Sequence, residues 1–174
     1  MGYNFGGILF KNGNQLSEDA ILQLLSRESH VKTDTVNMED ATASYFNGVG
    51  IARFEELLMV FGIDIPHGCS FENEPLSPVD HSLEKLSKEG DILCFSINSR
   101  MDTYAWSIYV KGKRIRTKLI AEGKILNEFG DETQFDYGLE ATDSGMIKLI
   151  SNFIEHDFSD IVYEKEIPVK AFYQ

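Results

Sequence analysis

The chain has 174 residues with a net charge of −12, carboxylates outnumbering Lys plus Arg by 28 to 16. That balance argues against binding nucleic acid or an anionic membrane, both of which reward a basic surface. A hydrophobic content of 43% argues against disorder, and the length fits a single domain spanning residues 1–174.

Tyr3 to Phe10 reads as a first strand, with Gly6-Gly7 marking a bulge or a close backbone approach. Lys11-Asn12-Gly13-Asn14 is turn chemistry. Ser17 then caps a helix, with Glu18 and Asp19 placed favourably against its dipole and Ala20, Ile21, Leu24 and Leu25 at helical spacing. Val31 to Val36 fits a short strand, and Asn37 to Phe46 a short helix ended by Asn47-Gly48. From Val49 to Ile63 the pattern fits either a helix face or two strands about Glu55-Glu56. The flanking Gly50 and Gly62 and the β-prone second half favour the strands.

Ile65 to Pro75 carries two prolines and a glycine and reads as loop. Ser77-Pro78-Val79-Asp80 starts a helix, with Ser at the N-cap, Pro in the first turn and a carboxylate at N3. Val79, Leu83 and Leu86 form its apolar stripe and Gly90 ends it. A meander follows from Asp91 to Phe129. Ile92–Ile97 is apolar enough for a strand buried on both faces. Thr103–Val110 alternates with period two, Tyr104 and Trp106 facing the core, and Lys111-Gly112 and Glu122-Gly123 turn the chain. Gly130 to Gly138 is polar and irregular. Thr142 or Asp143 caps a last helix with Met146, Ile147, Ile150, Phe153 and Ile154 inward. Ile161 to Tyr173 is read as extended, Pro168 placing that residue at an edge or bulge. The order predicts an α+β fold: a mainly antiparallel sheet with a C-terminal meander and three main helices packed on one face.

Two cysteines are too few for a disulfide framework. Cys94 lies in an apolar run, as a small buried hydrophobe does, and Cys69 in a loop; the sequence leaves open whether they pair. The first residues show no basic region followed by an apolar core, and no apolar run is long enough to span a bilayer. The expectation is a soluble cytoplasmic protein.

His67, Cys69, Asp80 and His81 gather metal-competent and catalytic residue types near one helix start. Their spacing matches no zinc pattern, and capping explains Asp80 while a solvated first turn explains His81. His30 and His156 lie near helix C-termini, where imidazole suits the dipole. No nucleophile elbow and no phosphate-binding loop occurs. Arg114, Arg116 and Lys118 form the one local concentration of positive charge. On a regular strand they share a face, as a site for an acidic partner or, preferably, as a solvated, edge-protecting stripe. No cofactor is expected.

The run Tyr104–Arg116, an aromatic strand, a Gly turn and a basic strand, leads into Asn127-Glu128-Phe129-Gly130, Phe135-Asp136-Tyr137 and a closing helix at Thr142–Glu155. This third of the chain resembles small bacterial proteins of unknown function. The resemblance implies a bacterial origin and an α+β fold and transfers no site residues. With an acidic surface and no recognisable catalytic constellation, the expected function is a non-enzymatic, immunity-like module that binds a partner protein, the charge being compatible with a basic one. The alternatives are a small hydrolase or metal-dependent enzyme at His67, Cys69, Asp80 and His81, and a small-ligand sensor using the aromatic sheet face.

Overall fold

The computed structural model describes residues 3–63, 65, 69, 71–72 and 75–174. Nine strands form one sheet: β1 (Asn4–Phe10), β2 (Val31–Val36), β3 (Val49–Phe54), β4 (Leu57–Gly62), β5 (Ile92–Asn98), β6 (Thr103–Val110), β7 (Lys113–Ala121), β8 (Lys124–Phe129) and β9 (Val169–Tyr173). Their order is β2-β9-β3-β4-β1-β5-β6-β7-β8, and every pairing is antiparallel. The helices are α1 (Glu18–Leu24), α2 (Met38–Ala41), α3 (Pro78–Leu86), α4 (Asp143–Ile154) and α5 (Phe158–Tyr163). The fold is α+β but strand-dominated, and its longest helix has only 12 residues.

The expected elements form where local chemistry dictates them. Ser17, Asn37, Ser77 and Thr142 each accept a backbone N–H at a helix start, and Ser77 with Asp80 completes a capping box. Val49 to Ile63 is the β3–β4 hairpin, turning at Glu55-Glu56. At Lys111-Gly112 and Glu122-Gly123 both central residues have positive φ, the primed-turn geometry that matches strand twist. Gly6-Gly7 marks a close approach and no bulge, because β1 keeps continuous register with both neighbours. A Cβ on Gly7 would lie 2.8 Å from the Val60 carbonyl oxygen and 2.9 Å from the Phe95 ring.

Two expectations are corrected. Helices cover both faces of the sheet, so the central strands are sandwiched. One core joins Phe5, Leu9, Met59, Phe61, Phe95 and Trp106 to α2, α4 and α5; the other joins Ile8, Phe10, Val60, Cys94 and Tyr109 to α1 and α3. The segment Ile161–Tyr173 is extended only from Val169, since its start completes α5, capped by Asp157 through the N–H groups of Ser159 and Asp160. Pro168 sits just outside β9, a strand hydrogen-bonded to β2 and β3 and hence no edge.

Candidate interaction face and buried charge networks

The basic stripe does not exist as a stripe. Tyr109 pairs with Arg114 and Ile108 with Arg116, so Ile115 is a bulge and the two arginines point to opposite faces. Both are buried, at 6% and 1% relative exposure. Arg116 lies on the α4 side. Its Nε donates to Asp136 at 2.8 Å and its Nη2 to Glu128 at 2.7 Å, while the Trp106 Nε1 donates to the same Asp136 oxygen at 3.1 Å. Burial alone would raise the Asp136 pKa. The hydrogen bonds from Arg116, Thr133 and Trp106 outweigh it and hold this carboxyl below its ordinary value. Lys118 keeps to the Arg116 side, 3.3 Å from Glu128 and over the Trp106 ring.

On the opposite face Arg114 donates to the Glu72 carbonyl at 2.6 Å and lies 4.0 Å from Asp80. Asp80 therefore does more than cap α3. It is fully buried and accepts the Tyr109 hydroxyl at 2.5 Å as well as the Ser77 N–H at 2.9 Å. Burial, the neighbouring thiols and the bond to Asp80 together push the Tyr109 phenol far up, so it stays protonated.

Of the residues singled out around the α3 start, Cys69 and Asp80 turn into the protein and His81 does not join them. Cys69 and Asp80 both border Tyr109, Cys69 packing against Cys94 in the second core. His81 points into solvent, its Nδ1 3.7 Å from Glu84. His67 lies outside the described residues. Among the described residues no group of three or more His, Cys, Asp or Glu is arranged to hold a metal. Tyr104 and Trp106 are buried beneath α4, so the aromatic sheet face is core.

Arg114 and Arg116 are matched by buried Asp80 and Asp136, so these four charges cancel and the net of −12 falls to the rest of the chain. It is unevenly spread. Apart from the buried Asp136, residues 131–166 hold nine carboxylates against Lys148 and Lys165, a net of −7 in the segment that builds α4 and α5. α2, which packs beside α5, adds Glu39 and Asp40. Exposed tyrosines stand among these acids: Tyr45 at 72%, Tyr137 at 78% and Tyr163 at 60% relative exposure. The face is bordered by a cleft of about 240 Å³ at the β3–β4 turn, lined by Lys11, Phe54, Glu55, Glu56, Glu155 and His156. There Lys11 pairs with Glu155 at 2.6 Å and His156 with Glu55 at 3.5 Å.

Sequence reasoning missed this face because charge was read as a total. The local excess after residue 130 was available, as was the placing of tyrosines beside acids. Asp136 carries no sequence signal beyond its place in Phe135-Asp136-Tyr137. Among the described residues no helix is long and apolar enough to cross a membrane. No known family model matches the chain, and neither curated proteins nor solved structures give a match.

Proposed function

We propose that this protein is a non-enzymatic interaction module whose acidic helical face binds a basic partner protein. In its concrete form it is an immunity-type protein of a bacterial cell that covers and blocks a partner toxin. The observation that supports this reading is the coincidence, on one layer, of more than half of the net charge with three exposed tyrosines. Carboxylate fields speed encounter with a cationic surface. Tyrosine supplies the large, rigid contact area on which binding energy concentrates. The buried ion pairs then act as scaffold: they hold the β6–β7 region against the helices and leave the surface acids unneutralised.

The test is affinity co-purification of the tagged protein from cells that naturally make it, with mass spectrometry of the retained material. The reading predicts one stoichiometric basic protein that is released as salt is raised. A bound small molecule or metal in a clean monomer would overturn it, as would a partner whose retention is indifferent to salt.

A further inference from the structure

Cys94 sits in the middle of β5, fixed in register opposite Ile8 of β1 and Ser107 of β6. It faces the second core and has no solvent exposure. Cys69, 25 residues earlier in the chain, rests directly on it: both are free thiols and the two sulfurs are 3.0 Å apart. A core that wanted only small apolar volume would be served by alanine or valine at either position. Sulfur on sulfur places the two reactive atoms in contact, at a separation that a small approach converts to the covalent distance of about 2.0 Å. The surroundings of the pair differ in a way that orders the chemistry. Cys69 retains 9% exposure, so a small oxidant meets it first. Burial, the contact with Cys69 and the charge of Asp80 push the Cys94 thiol up, which makes it the slower of the two to react with an oxidant directly.

We propose that Cys69 and Cys94 are a redox-modification site, closing to a reversible intramolecular disulfide on exposure to hydrogen peroxide. The Cys69 sulfur attacks one peroxide oxygen, the O–O bond breaks, and Cys69 becomes a sulfenic acid as the first water leaves. The Cys94 sulfur then attacks the Cys69 sulfur. The S–S bond forms, the S–O bond breaks, and the second water carries away the remaining proton. Two thiols lose two electrons in all, and the peroxide becomes two waters. The bond ties Cys69 to the centre of the sheet and closes a loop of chain that contains α3 and Asp80. It therefore clamps α3 over the Tyr109–Asp80 network. This inference is independent of the acidic face, which lies on the opposite side of the sheet.

The experiment exposes the folded full chain to a small excess of hydrogen peroxide, quenches it, unfolds the chain in iodoacetamide so that every residual thiol is blocked, and maps peptides without reduction. The expected result is a Cys69–Cys94 cross-linked peptide, an intact mass lower by two hydrogens, reversal by dithiothreitol, and a raised urea midpoint for the oxidised form. C94S, checked for native circular dichroism, is expected to stop at an oxidised Cys69. C69S is expected to leave Cys94 unreacted on the same timescale. Accumulation of Cys69 sulfinic acid in the wild type while Cys94 remains alkylatable would overturn the proposal. So would a disulfide that forms only after the chain is unfolded in urea.

Discussion

Asp80 and Asp136 are carboxylates buried on opposite faces of the sheet, each placed against an arginine of β7. Losing one member of such a pair leaves a charge with no solvent to compensate it, which typically costs 3–5 kcal/mol, roughly. D136N is therefore expected to lower stability by about 3 kcal/mol in urea unfolding at neutral pH, with Arg116 left against Glu128 alone. The double substitution D136L with R116M is expected to recover much of that loss, because apolar packing replaces both charges. The pH dependence follows from the direction of the shift. The folded-state pKa of Asp136 lies below its ordinary value of 3.8. Between those two values the unfolded chain binds more protons, so stability rises with pH. The contribution is complete above 3.8 and is lost as pH falls through the folded value. The gap between wild type and D136N should accordingly close in acid, and a gap that stays constant down to the acid transition would contradict this account. At this scale the sequence was legible where the rule is local. Asp80 as a capping residue follows from Ser77-Pro78-Val79-Asp80 alone. The burial of Arg114 and Arg116 does not, because the bulge at Ile115 exists only against β6, and one extra residue reverses which face a cation meets.

Caps and turns make up most of what was readable at the scale of elements. Ser17, Thr142, Lys111-Gly112 and Glu122-Gly123 act within three residues of themselves, so no distant partner is needed to foresee them. The misreading of Ile161–Tyr173 has the opposite cause. Asp157 caps a helix of only six residues, too short for apolar periodicity to register, and Phe158, Ile161 and Val162 hold it by tertiary packing. The second layer of helices was foreshadowed by Ile92–Ile97, read correctly as apolar on both sides. A strand of that kind needs cover on both faces, and α1 and α3 supply the second. Glu155, the C-cap of α4, offers an element-scale test. It holds φ of +62°, the left-handed conformation that glycine adopts without steric cost. E155G is expected to raise Tm by roughly 2–4 °C despite losing the exposed contact to Lys11. A lower Tm would show that the Lys11–Glu155 pair outweighs the backbone strain.

Over the whole molecule, the sheet divides the protein's work. Its second face is closed by α1, α3 and the Cys69–Cys94 contact, while its first face carries the layer on which charge and tyrosine coincide. A total of −12 was visible in the composition; its concentration became meaningful only once α4, α5 and the preceding segment were seen to lie on one side. Because the face is solvated, its attraction for a basic partner is long-range and screened, with a Debye length of about 8 Å at physiological salt. Neutralising carboxylates there should slow association much more than it hastens dissociation. The direct measurement is parallel co-purification with wild type and with one variant carrying E132Q, E140Q, E164Q and E166Q. These positions are exposed and none lends its side chain to a helix cap (Glu164 ends α5 through its backbone N–H alone), so the fold is expected to persist by circular dichroism. The account predicts a stoichiometric basic protein on the wild type and its loss, by tenfold or roughly more, on the variant. Equal retention of the same partner by both proteins would contradict it and move the interface off the acidic face.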